Sequence, residues 1–235
     1  MKKSSKKQRH NQHTSAVSLV TLADKASPVA EQYRTIRTNI QFASASRKMQ
    51  TVVVTSAGAG EGKSTTTANL AVVLADSGQR VLLVDADMRK ATVHKTFHLT
   101  NDTGLSLYLS SNQQIEAVVQ PTSIANLSIL TAGPKPPNPS ELLGSTRMDQ
   151  FLEDACRLYD VILFDMPPVV AVTDAQIMAS KVDGTLMVVR EEVTRKDALV
   201  NAKKLLDLVQ AHILGVVYNG AENGRGQDYY YYYGK

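Results

Sequence analysis

The chain has 235 residues, 43% of them hydrophobic and 20% charged, with a formal net charge of +4 and a single cysteine. That length suits one α/β domain with a full core. One cysteine excludes an intrachain disulfide or a cysteine-based zinc cluster, and no apolar run approaches the ~18 residues that span a bilayer. The charge is uneven: Lys2, Lys3, Lys6, Lys7 and Arg9 all precede the first acid, Asp24, so the rest is close to neutral. The N-terminus lacks the apolar h-region of a signal peptide. A solvated basic arm is the simplest reading, with membrane proximity second and no nucleic acid expected.

In chain order, residues 1–27 read as a polar, basic, mobile tail. Ser27-Pro28 opens a helix over 28–45, with Tyr33, Ile36 and Ile40 at helical spacing. Strands are then predicted at 51–55, 80–84, 127–130, 161–164, 185–189 and 213–218, with helices near 63–77, 146–158, 173–180 and 195–210. Gly78 stands where the first of these should stop. Most strand runs are continuously apolar, as in parallel sheets covered on both faces. The fold class is therefore α/β, a doubly wound, mainly parallel sheet flanked by helices. Residues 135–139 read as a proline-rich loop. Past Asn219 come Gly220, Gly224 and Gly226, then Tyr229, Tyr230, Tyr231, Tyr232 and Tyr233, five of the nine tyrosines.

The strongest motif is Ala57-Gly58-Ala59-Gly60-Glu61-Gly62-Lys63-Ser64, a Walker A loop with alanine at its first glycine, between a strand and a helix. Glycines let backbone N–H groups turn toward phosphate oxygens, and the helix N-terminus adds a positive dipole end. Lys63 is placed for the β and γ phosphates, Ser64 for Mg²⁺ and Thr65 for the α-phosphate side. Two acidic motifs end later strands: Asp85-Ala86-Asp87-Met88-Arg89 and Asp165-Met166-Pro167. Strand carboxyl ends form the ligand edge of such sheets. Asp165 fits the Walker B role at the metal. Of Asp85 and Asp87, one would accept a proton from an incoming hydroxyl while the other supports the metal. Asp85 is the preferred base, and Arg89 would orient the segment or meet phosphate. His94 and His98 lack a third ligand in metal spacing. Cys156 reads as a core residue.

These motifs, together with Glu31-x-x-Arg34-x-x-Arg37 on the first helix and the terminal tyrosines, resemble the bacterial tyrosine kinases (BY-kinases), a family of MinD/ParA-like P-loop NTPases. The CpsD-type capsular kinases of Gram-positive bacteria match best, over residues 25–235. The resemblance implies a kinase domain at 28–219 using ATP and Mg²⁺, and tyrosine autophosphorylation in a tail at 220–235. It also implies control of capsular or exopolysaccharide synthesis and a cytoplasmic enzyme recruited to the inner membrane face by a transmembrane polysaccharide co-polymerase adaptor. A cognate tyrosine phosphatase and a homo-oligomer, with a ring as its candidate form, belong to the same implication. Glu31, Arg34 and Arg37 would form the oligomer contact, with charges left free for a neighbour, and Asn219 would contact adenine by likeness to related ATPases. A positioning ATPase or a nucleotide-gated scaffold in polysaccharide export is the alternative. Positioning ATPases carry a second lysine early in Walker A, where this chain has Gly58.

Overall fold

The computed structural model describes residues 16–43 and 49–221. A short turn of helix, α1 (Val20–Ala23), precedes α2 (Pro28–Ala43), β1 (Thr51–Ser56), α3 (Lys63–Asp76) and β2 (Val81–Asp85). Next come α4 (Val93–Thr96), α5 (Leu105–Ser110), β3 (Gln120–Pro121), β4 (Leu127–Leu130), α6 (Pro139–Gly144) and α7 (Thr146–Leu158). The chain continues through β5 (Val161–Asp165), α8 (Asp174–Ala179), β6 (Gly184–Arg190), α9 (Lys196–Leu208) and β7 (Ile213–Asn219). All six strands expected from the sequence form, each within two residues of its expected ends.

The strands make one sheet in the order β3-β4-β2-β5-β1-β6-β7. Every pairing is parallel except that of the two-residue β3 with β4. β1, β2 and β5 are buried at every position, which is why their sequences run apolar without alternation. One face packs Leu82, Phe164, Met148 and Phe151 together, and Phe151 meets both Tyr108 and Phe164 edge-on, at centroid distances of 5.3 and 6.3 Å. The other face receives α3, buried without a break from Thr66 to Ala75. A helix with no polar side must be covered on both sides. Here the sheet supplies one cover, and α1 and α2 supply the other.

That cover corrects the expectation of a mobile tail over 1–27 for residues 16–27; residues 1–15 lie outside the described residues. From Ala16 onward the segment is laid on the body. Val17 and Leu19 pack against the α3 core, and buried Thr21 gives its N–H and its hydroxyl to Asn69 Oδ1, at 3.0 and 2.9 Å. Asn69 returns a bond to the Ser18 carbonyl. The strap's apolar residues lie in one short run, Ala16 to Ala23, too brief to show a period and preceded by a polar, basic stretch. α5 and the short α4 were missed for their length, and α6 begins inside the stretch read as a proline-rich loop, with Pro139 at its first turn. Gly78 does follow α3, at a φ of 90°.

α2 docks through Tyr33, Ile36 and Ile40 as expected. Its charges are less free than expected. Arg34 pairs with Glu31 at 2.6 Å and donates to the Lys25 carbonyl, and Arg37 leans toward the Val73 carbonyl on α3. Tyr229, Tyr230, Tyr231, Tyr232 and Tyr233 lie outside the described residues, as do residues 44 and 45 of the expected first helix. No helix among the described residues is long and apolar enough to cross a membrane.

Candidate active site

Parallel pairing carries β1, β2 and β5 to the same edge of the sheet, and the site is built there. Asp85 and Asp165 are registered side by side at the ends of β2 and β5. The loop after β1 runs into α3, whose N-cap, Gly62, is left-handed at φ 93°. Two facts make glycine obligatory there. An L-side chain is strained at that φ, and a Cβ would lie 2.0 Å from Asn219 Nδ2.

The loop is braced from three directions that the sequence did not disclose. The buried Glu61 carboxylate accepts the N–H groups of Ala57 and Gly58 at 3.1 and 3.0 Å. Asn219, at the end of β7, donates to the Glu61 carbonyl at 3.1 Å. Arg190, at the end of β6, donates to the Gly60 carbonyl at 3.0 Å. The Gly58 N–H, expected to face phosphate, is therefore spent on Glu61. Asn219 is fixed to the loop through its amide. Glu61 was expected as a member of the loop and Asn219, by likeness to related ATPases, as an adenine contact; that they brace the loop, and that Arg190 does so too, needed the folded chain.

Lys63, the first residue of α3, reaches into the acids. Its Nζ lies 3.4 Å from Asp87 Oδ2, 3.7 Å from Asp165 Oδ1 and 3.3 Å from Ser64 Oγ. Burial alone would lower its pKa, but Asp165, Asp87 and Asp85 together outweigh that and hold it raised. Asp165 is wholly buried, neither of its oxygens has a hydrogen-bond partner, and burial pushes its pKa up against the pull of Lys63 and Ser64. Apart from the ion pair with Lys63, these oxygens are free to take a ligand. Thr65 stands half-buried one residue along α3.

Asp85, the expected base, is more enclosed than Asp87. It is fully buried, its Oδ2 accepts the N–H groups of Thr92 and Val93 at 3.0 Å each, and its Oδ1 is unpartnered. Burial, followed by the charge of Asp165, pushes its pKa up to about 8. Its burial and its two backbone bonds set it apart from Asp87. Asp87 keeps slight exposure and contacts Lys63 directly, with Oδ1 accepting the Lys90 N–H at 3.0 Å. Among the described residues no three acidic, histidine or cysteine side chains converge as a ready metal cluster. Of the three expected carboxylates, Asp165 and Asp87 lie on either side of Lys63 with Ser64 close by, and Asp85 stands beside Asp165 at the neighbouring strand end.

A glycine-bearing loop that runs from a strand into a helix, with its lysine set among strand-end carboxylates, is the phosphate-binding site of a P-loop nucleotide-binding domain. The AAA domain family matches residues 49–213. The chain is 46% identical over 214 residues to the tyrosine-protein kinase YwqD of Bacillus subtilis, covering 91% of this chain and 90% of that one. It is 33% identical to the tyrosine-protein kinase etk of Escherichia coli, covering 92% of this chain but 30% of that one. Among solved structures it is similar to the kinase domain of Escherichia coli tyrosine kinase ETK, at 33% identity and a TM-score of 0.85, covering 96% of this chain and 88% of that one. It is similar also to the chimerical protein CapA2B2, at 40% identity and a TM-score of 0.82, covering 87% and 91%. The chain belongs to the bacterial tyrosine-protein kinases, P-loop enzymes that phosphorylate protein tyrosines. The positioning ATPase alternative falls with this: a likeness to a plasmid partition protein, at 18% identity, reflects the fold.

Proposed function

We propose that this kinase takes ATP as its magnesium complex, and that its first acceptors are Tyr229, Tyr230, Tyr231, Tyr232 and Tyr233 of its own chain or of a neighbouring copy. The observation that carries the reading is Lys63 held among Asp87, Asp165 and Ser64 at the mouth of the loop. The unpartnered oxygens of buried Asp165 and the Ser64 hydroxyl fit a small hard cation, which prefers oxygen donors. Asp165 and Ser64 would hold it, and when bound it supplies charge neutralisation on the phosphates. The N–H groups of the loop at Ala59, Gly60, Gly62, Lys63, Ser64 and Thr65 bind and orient the triphosphate, and Lys63 offsets charge on the transferring group. The tyrosine oxygen bonds to the γ-phosphorus as the bond to the β–γ bridging oxygen breaks. ADP leaves, and the hydroxyl proton passes to Asp87. Asp85 holds the start of α4 through Thr92 and Val93 rather than acting as the base.

Around this core we infer control of capsular or exopolysaccharide synthesis, recruitment to the inner membrane face by a transmembrane co-polymerase adaptor, resetting by a tyrosine phosphatase, and a homo-oligomer contacted through α2. The ten residues 219–228 extend by at most ~33 Å, enough to bring the tyrosines to a neighbour's site. Phosphates add roughly −1.5 to −2 charges each, so a modified cluster would repel itself and loosen such an assembly.

The test is mass-spectrometric mapping of phosphotyrosine on the full chain after incubation with ATP and Mg²⁺, with and without the adaptor's cytoplasmic segment. Phosphate on residues 229–233, absent when all five are replaced by phenylalanine, supports the reading. Phosphotyrosine confined to Tyr33, Tyr108, Tyr159 or Tyr218 would refute the acceptor assignment.

A further inference from the structure

Arg89 was expected to orient its segment or to meet phosphate; the structure commits it elsewhere. Its Nε donates to Asp174 Oδ2 at 2.9 Å, and its Nη2 donates to Asp174 Oδ1 at 3.0 Å and to Ser140 Oγ at 3.1 Å. Ser140 Oγ in turn donates to Asp174 Oδ1 at 2.6 Å. Asp174 is wholly buried, and both its oxygens are satisfied within this group. Three separate pieces of chain meet there. Arg89 lies in the loop that leaves Asp85 and carries Asp87, Ser140 lies in the first turn of α6, and Asp174 opens α8 at the far end of the loop that leaves Asp165. That second loop is itself pinned to β1, by Met166 N–H to the Val54 carbonyl and Val169 N–H to the Ser56 carbonyl.

We propose that the Arg89–Asp174 pair, closed by Ser140, is the positioning element that holds Asp87 against Lys63. Asp87 stands two residues before Arg89, on a segment fixed at its near end by Ala86 N–H to the Asp165 carbonyl. The pair fixes the far end. With both ends tied to the Asp165 loop, the two acids that flank Lys63 move as one body. The chemistry favours this residue pair. A planar guanidinium grips a carboxylate through two parallel N–H bonds and sets distance and angle together, which an ammonium cannot do. A buried carboxylate also needs that partner, since removing one member of a buried pair strands the other. Arg89 and Asp174 touch no reacting atom, so their effect is on geometry at Asp87, and geometry of this kind appears in kcat.

The inference rests on the reading that Lys63 and Asp87 carry phosphotransfer, which Asp87→Asn tests by itself. An Asp87→Asn chain with wild-type kcat would sink that reading whatever the pair's variants do. For the pair, initial rates of tyrosine phosphorylation by the full chain are measured across ATP concentrations for Arg89→Lys, Asp174→Asn, Ser140→Ala and the Arg89→Lys/Asp174→Asn double variant, with thermal melts alongside. The expected result is a kcat lowered about tenfold or more in the Arg89 and Asp174 variants, less in Ser140→Ala, with KM for ATP within about twofold of wild type. The double variant should be no worse than the weaker single, because both break one unit. Should Asp174→Asn fail to fold, Arg89→Lys and Ser140→Ala carry the same kcat-against-KM reading. Folded variants with unchanged kcat would overturn the proposal. So would multiplicative losses in the double variant, or a raised KM with kcat intact, which would place Arg89 on the nucleotide.

Discussion

Asp85 and Asp165 are two carboxyl groups buried next to each other, and their environment decides what each can do. A folded-state pKa of about 8 for Asp85 means that the folded chain holds a proton there that the unfolded chain, near 3.8, has already released. Stability from this group is therefore complete below about pH 4 and is lost as pH rises toward 8. Asp85→Asn keeps an oxygen for the Thr92 and Val93 N–H groups and removes the titration. We expect the nucleotide-free variant to melt on the order of 5 °C above wild type at about pH 8.5, with the gap closing toward about pH 5. Melts of both proteins across that range check it, and parallel curves would contradict it. The aspartates and the lysine were legible in the sequence because phosphate chemistry demands those residue types at strand ends. Their division of labour was not, because Asp85 and Asp87 alternate identically along the chain and differ only in what surrounds them. Asp174 and Arg190 were missed, and Glu61 was read only as part of the nucleotide loop, for the same reason: each acts through a partner between 3 and 130 residues away.

At the scale of elements, the nucleotide loop depends on β7, whose last residue fills the space beside Gly62. Gly62→Ala forces both the φ of 93° and a Cβ 2.0 Å from Asn219 Nδ2. It should weaken nucleotide binding at least about tenfold, read with a fluorescent ATP analogue. Gly62→Ala/Asn219→Ala should recover only part of this, since it relieves the collision and leaves the backbone strain. The strap over α3 gives a second expectation. Asn69→Ala removes the partner of the Thr21 N–H and of the Ser18 carbonyl and leaves the Thr21 hydroxyl only the Asn69 carbonyl at 3.4 Å, in a buried setting. Stranding these groups should cost about 2 kcal/mol, roughly 4–8 °C in Tm, and expose residues 16–27 to limited proteolysis. The long elements were readable because α3, α7, α9 and the central strands carry continuous or periodic apolar patterns. The strap, α4 and α5 were not, because four to six residues give no period and their contacts are with distant chain.

For the whole molecule, the parallel sheet explains why the site exists. With β1 between β5 and β6, and β2 beside β5, three strand ends deliver the phosphate loop and both acidic loops to one edge. No local motif brings Asp165 within 3.7 Å of Lys63; the strand order does. The relatives fit this partition: the chain covers 30% of etk's length, and it covers 88% of the solved kinase domain of Escherichia coli tyrosine kinase ETK. α2 lies against α3, so any partner that grips Glu31, Arg34 and Arg37 can bear on the helix that starts at Lys63. The measurement closest to the central claim is phosphotyrosine formed by the purified full chain with ATP and Mg²⁺, with Lys63→Met alongside and the adaptor's cytoplasmic segment present in a parallel set. The account predicts tyrosine phosphorylation in the wild type and a loss of at least about a hundredfold in the variant, which should still fold. Phosphotyrosine at an undiminished rate in Lys63→Met, or ATP hydrolysis by the wild type with no phosphotyrosine in either set, would contradict it.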